Sequence, residues 1–180
     1  MAWVPLIGEH DAADPVVKRV YDEIRVELGF GMVPNLFRSM ASRPGFLEAN
    51  WNHFRSTVLE GALPRTLKEM VGILISQHNH SEYALRVHLH GLSALGISEE
   101  VLRLLVEDVD RCPLPATERA ALRFGLKAGT DPKGLAAADF AALKQAGLGA
   151  DEVFELIATA HLFNGVNQYT DAIDLEIDAL

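Results

Sequence analysis

"LPRTLKEMVGILISQHNHSEYALRVHLHGLSALGIS", residues 63–98, decides the fold of this chain. Pro64 in a first turn, followed by an apolar-rich run, predicts a helix over 63–77. A second helix is expected over 81–96 after a short break, with Ser81 as candidate N-cap. On the first helix Glu69, Gly72, Ile73 and Ser76 share one face, and the small Gly72 and Ser76 let a neighbour come close. On the second, Ser81, Ala84, His88, Gly91, Leu92 and Leu95 share a face, while His90 points nearly opposite, with Tyr83 and Arg86 nearer its side. Packed face to face, the two helices would bring Glu69 and His88 together. A partly buried Glu–His pair can pass protons, because burial and mutual attraction tune both groups. Spacing alone favours a plainer outcome, a solvated Glu69 and a hydrogen-bonded core His88.

Four of the seven histidines, at 78, 80, 88 and 90, crowd this stretch. They invite a metal, with zinc the first to test. Yet no pair has i, i+4 spacing, and Glu82 sits in a first helical turn, where it complements the helix dipole anyway. No metal ligand and no cofactor is assigned.

The rest of the chain reads the same way. Helices are expected over 14–29 (Asp14 as N-cap, Pro15 first, Gly29 ending it), 44–61, 98–110, 115–129, 136–147 and 150–177, with a short helical piece in 31–44. No sustained alternation marks a strand, so the class is all-α. With 180 residues, 49% hydrophobic and 23% charged, a single domain spanning 1–180 is expected. Leu63-Pro64-Arg65-Thr66 recurs as Leu114-Pro115-Ala116-Thr117, and Leu92–Ile97 as Leu143–Leu148, both offset by 51. An N-terminal segment (1–62) would then precede two copies of one multi-helix unit, 63–110 and 114–165. Glu69 aligns with Ala120 and His88 with Asp139, so the first copy would carry any site.

A net charge of −9 argues against nucleic-acid or anionic-membrane partners. No run approaches a membrane span and no secretory signal is visible, so a cytoplasmic protein is expected. The one cysteine, Cys112, excludes an internal disulfide and a thiolate metal cluster. It reads as an incidental linker thiol, with Arg111 placed to lower its pKa a little. His161 reads as a core or packing histidine, and Trp3 and Trp51 as core or interface residues.

These residues resemble the alkylhydroperoxidase D / carboxymuconolactone decarboxylase family, closest to its peroxidase-related group. The likeness runs over "VPNLFRSMASRPGFLEANWNHF", the 63–98 stretch and "ATAHLFNGVNQYTDAIDLEI". The family pattern is a glutamate, then twelve residues on a Cys-x-x-Cys, then a histidine four after the second cysteine. Glu69 and His88 match its ends, and Tyr83 matches the aromatic residue before the second cysteine. Ser81 and Ala84 stand at the cysteine positions, and Gln168 stands near an arginine common in the last helix. The resemblance implies an AhpD-like helical fold and a homo-oligomer. The two-thiol peroxidase cycle it also implies needs a thiolate that becomes a sulfenic acid and a second thiol that condenses with it. Neither Ser81 nor Ala84 supplies that chemistry.

Three readings follow. The first is acid–base chemistry on a lactone or carboxylated small molecule, with Glu69 and His88 as the pair, Ser81 as hydrogen-bond donor and Tyr83 beside them. The second is a non-catalytic module that binds a small molecule or a partner protein. The third is a metal-binding variant in which His78, His80 or His90 replaces the thiols.

Overall fold

A computed structural model describes residues 2–179. Among them the chain forms nine α-helices and no strand. The N-terminal part contains α1 (Pro15–Leu28), α2 (Asn35–Met40) and α3 (Pro44–Phe54), with a π-helical turn, Arg55–Leu59, extending α3. Then follow α4 (Arg65–Asn79), α5 (Glu82–Ala94), α6 (Glu99–Glu107), α7 (Ala116–Thr130), α8 (Ala137–Gln145) and α9 (Ala150–Ala172). Asp14 caps α1 by accepting from the Val16 and Val17 amides, and Pro15 opens it, as the sequence predicts.

Helix α4 is the axis of the molecule. It packs on α5, α7 and α9, and every residue from Leu67 to Ser76 is buried. A helix covered on all sides must partner its polar groups. Lys68 is fully buried and its Nζ lies 2.8 Å from Glu155 Oε2. Glu155 in turn accepts from the amides of Ala62 (2.6 Å) and Leu63 (3.0 Å), which pins the loop before α4 onto α9.

Two apolar clusters flank this axis. One joins α1, α2, α3, Tyr83 and Phe163. The other joins α4, α6, α7, α8 and the first half of α9, and it includes Cys112. The offset of 51 recurs in the helix boundaries: α4 and α7 span 65–79 and 116–130, α5 and α8 end at 94 and 145, and α6 and α9 begin at 99 and 150. These coincidences support the two-copy organisation over 63–110 and 114–165, which we propose for this chain.

Several expectations are corrected. Helix α9 ends at Ala172, and residues 174–179 form a tail. Tyr83, on the side of α5 nearer His90, is buried there, whereas Arg86 on that side is exposed. Leu95, past the end of α5, is 42% exposed. Ser81 occupies the N-cap position of α5, but its hydroxyl makes no capping bond. His161 is exposed, because α9 turns it to the outer face between Ala160 and Leu162, both buried. Cys112 is buried, and its thiol is pushed up by burial and by Asp108, with Arg119, not Arg111, opposing.

Candidate functional site

Glu69 from α4 and His88 from α5 meet, with His88 Nδ1 2.7 Å from Glu69 Oε2. Both are almost wholly removed from water, at 4% and 5% exposure. Their approach depends on Gly72, one turn along α4. A Cβ at that position would lie 2.6 Å from His88 Cε1 and Nε2, so only glycine leaves room for the ring. Phe163 of α9 holds the ring edge-on, with centroids 4.4 Å apart.

Arg65 is a third member that the sequence reading missed. Its Nε lies 3.4 Å from Glu69 Oε1, and its other nitrogens reach the Glu27 and Leu28 carbonyls at the C-terminus of α1. The i, i+4 spacing of Arg65 and Glu69 was the available signal. Burial pushes the Glu69 carboxyl up, but the His88 hydrogen bond and charge, with the Arg65 guanidinium, outweigh it. Glu69 is held below the usual carboxylate range and stays ionised.

The pair sits at the polar end of a small apolar cavity of about 30 Å³. Helices α1 and α2 contribute Leu28, Leu36 and Phe37, α3 contributes Phe54, and α9 contributes Phe163 and Val166. Helix α5 adds Tyr83, Ala84 and Val87, and Phe30 comes from the α1–α2 loop. Ala84 therefore faces the cavity one turn before His88.

Ser81 and Tyr83 have their hydroxyls committed elsewhere. Ser81 is buried and donates to Asp171 Oδ1 at 2.7 Å. The Tyr83 hydroxyl accepts from the Leu36 amide (2.9 Å) and donates to Asp178 Oδ2 (2.8 Å). Burial, reinforced by the Asp178 charge, pushes the phenol far up, so it stays protonated. Asp178 also accepts from the Asn35 amide at 2.7 Å, so the C-terminal tail is laced to the start of α2.

The histidine-rich stretch disperses. His78 and His80 are exposed, His80 in a left-handed conformation (φ 56°), and His90 stacks edge-on against Phe30. Among the described residues no group of three or more His, Cys, Asp or Glu is placed to hold a metal ion.

Residues 44–127, from α3 through most of α7, match the model of the carboxymuconolactone decarboxylase family, and the match contains Glu69 and His88. Over that stretch, a little under half of its length, the chain is similar to the carboxymuconolactone decarboxylase family. Its fold is that of several solved proteins. A peroxidase-related protein with an alkylhydroperoxidase AhpD core, from Ralstonia eutropha JMP134, superposes with a TM-score of 0.87 at 23% identity, covering 99% of this chain and 93% of its own. A second peroxidase-related protein, from Silicibacter sp. TM1040, gives 0.85 at 23% identity, covering 99% and 96%. The debrominase Bmp8, in a cysteine-to-alanine variant complexed with 2,3,4-tribromopyrrole, gives 0.82 at 21% identity, covering 99% and 95%. At these identities the likeness establishes the fold alone. No curated protein sequence matches the chain. No helix among the described residues is long and apolar enough to cross a membrane.

Proposed function

We propose that this protein carries out acid–base chemistry without thiols on a small, uncharged, largely apolar molecule. His88 is the base, and Glu69 holds its ring and stabilises the charge the ring gains. The observation that carries this reading is the 2.7 Å bond between His88 Nδ1 and an ionised, buried Glu69 at the end of an otherwise apolar cavity. A carboxylate accepts only, so Nδ1 carries a proton, and in the neutral ring Nε2 holds the lone pair that acts as base. The imidazolium formed when Nε2 takes a proton is stabilised by Glu69 in a site nearly free of water.

The lining narrows the substrate. It offers no Lys or Arg side chain to a carboxylate, and Glu69 would repel one. A neutral lactone or related carbonyl compound suits it better than a carboxylated one. A family fold that holds tribromopyrrole in a debrominase variant supports a small, neutral ring as ligand class.

The test is isomerisation of a β,γ-unsaturated five-membered lactone to its conjugated isomer, followed by ultraviolet absorbance. Nε2 removes the α-proton, the C–H electrons pass into a dienolate, and the same proton returns at the γ-carbon. Glu69→Gln and His88→Gln are expected to lower the rate by about 10²–10⁴-fold. A wild type that does not catalyse proton transfer on any such lactone, or variants that keep its rate, would overturn the reading. The second reading, a non-catalytic small-molecule binder, is favoured by the near-complete apolarity of the lining. Under it, the same variants change affinity and no turnover occurs.

The protein is further taken to work as a cytoplasmic homo-oligomer. Exposed Trp3, Val26 and Phe154 support apolar subunit contacts. Light scattering that returns the 19.7 kDa monomer mass would reject this.

A further inference from the structure

The cavity of about 30 Å³ is several-fold smaller than the roughly 150 Å³ of a cavity that holds benzene. The site as it stands is too small to enclose a ring-sized ligand, so seating one requires part of its wall to move. Apart from Phe30 and Pro34, every lining side chain stands on a helix. Pro34 has a ring-locked backbone (φ −58°) at the start of α2. Phe30 alone sits between two left-handed glycines, Gly29 (φ 76°) and Gly31 (φ 70°), with open space where a Cβ would stand at either.

We infer that Phe30 is the gate and size filter of the Glu69–His88 cavity, swinging on Gly29 and Gly31 to admit a planar ring. Its closed position is built into α5. The ring docks over Gly91, where a Cβ would come 3.2 Å from Phe30 Cζ, and its edge meets the His90 ring at a centroid distance of 5.5 Å. Gly91 is thus the notch that receives the gate. Phe30 is half-buried, so leaving the notch exposes only part of a ring that already touches water. The gate opens toward the exposed loop, and the ligand then occupies the apolar volume the ring vacates beside His88.

The inference rests on the reading of this cavity as a small-molecule site, but its test reads admission of ligand, not turnover. Trp51 is fully buried and packs against Phe37 (5.5 Å) and Phe54 (6.1 Å), two wall residues, so its fluorescence reports occupancy. Replacing the exposed Trp3 with Phe leaves Trp51 as the sole tryptophan. In stopped flow with 4-bromophenol as a heavy-atom quencher, the observed rate should level off with concentration at the opening rate. Gly91→Ala should raise that ceiling by roughly tenfold by displacing the ring from its notch. Phe30→Ala should remove the ceiling and admit 4-phenylphenol, which Phe30→Leu and the wild type admit slowly. Circular dichroism confirms that each variant is folded.

A rate that rises linearly in the wild type, ceilings unchanged in Gly91→Ala and Phe30→Ala, or no quenching in any folded variant would each overturn the gate. Loss of lactone isomerisation with gating intact would instead remove the catalytic reading and leave the gate standing.

Discussion

His88 Nδ1 lies 2.7 Å from Glu69 Oε2, and behind that bond Arg65 ties the same carboxylate to the last carbonyls of α1. One buried charge therefore connects α4, α5 and the helix that leads into the Phe30 loop. Removing it should be felt in both stability and chemistry.

The Glu69 carboxyl is lowered in the folded protein, with His88 and Arg65 overcoming the cost of burial. A depressed folded pKa gives stability that is present above the unfolded value and lost as pH falls through the folded one. Wild-type stability should therefore decline below the ordinary carboxylate range more steeply than that of Glu69→Gln. Above that range Glu69→Gln should be less stable by about 1–3 kcal/mol, the cost of weakening a buried hydrogen-bonded charge. Urea melts across pH measure both effects, and parallel curves would refute the assignment.

Gly72→Ala separates packing from chemistry. Its Cβ would stand 2.6 Å from His88 Cε1 and Nε2, so the ring must tilt away from Glu69. Overpacking of this kind costs about 1–3 kcal/mol. The isomerisation rate should fall far more than that loss of stability implies, because a misplacement of about 1 Å can cost on the order of 10²-fold. Nitrogen-15 shifts of the His88 ring should report loss of the Nδ1 bond. A variant with wild-type shifts and rate would show that the close approach at Gly72 is not needed.

Tyr83 and Asp178 make a prediction of opposite sign. Asp178 is raised by burial, against its hydrogen bonds from Asn35 and Tyr83. A raised folded pKa favours folding below the unfolded value, and that advantage is lost as pH rises through the folded one. Relative to Asp178→Asn, the wild type should gain stability as pH falls from neutral into the carboxylate range. Tyr83→Phe leaves the Leu36 amide and Asp178 without their shared partner and should cost about 1–3 kcal/mol. Its lactone isomerisation rate should stay near wild type, since the hydroxyl bonds to the tail rather than to the cavity. A collapse of that rate would return Tyr83 to the chemistry.

The face that pairs Glu69 with His88 was legible because a 3.6-residue period and two small residues on α4 leave little choice of packing. The burial of Tyr83 was not legible by the same logic. A two-faced helix wheel has no place for a third covered side, and the tail that covers Tyr83 through Asp178 lies 95 residues away in sequence. Arg65 was visible as an i, i+4 partner, but its anchorage on α1 is tertiary. The end of α9 was overrun because "DAIDLEI" keeps an apolar rhythm past the point where Asp174 turns left-handed (φ 51°). His161 shows the limit of composition: an apolar neighbourhood in sequence does not say which side of a helix faces water. The cavity's size was beyond sequence altogether, since it depends on how side chains from several helices and one loop pack together.

The thiol positions allow a gain-of-function test. Ala84 faces the cavity one turn before His88, and Ser81 sits at the N-terminus of α5, where a helix dipole favours thiolate. In Ser81→Cys/Ala84→Cys, an alkyl hydroperoxide should oxidise one thiolate to a sulfenic acid with release of its alcohol, and the second thiol should condense with it, releasing water and forming a disulfide. Mass spectrometry should show the loss of two hydrogens, reversed by a dithiol reductant, and peroxide should then turn over. Ala84→Cys alone should stop at the sulfenic acid. The wild type should stay inert, because its one thiol, Cys112, is buried in the other core cluster and pushed toward the protonated form. Wild-type turnover that disappears in Cys112→Ser would overturn the thiol-free reading. An inert double variant would show that the Glu69–His88 pair, as this chain holds it, does not activate a thiol, and that Ser81 and Ala84 are not all that separates it from a two-thiol peroxidase.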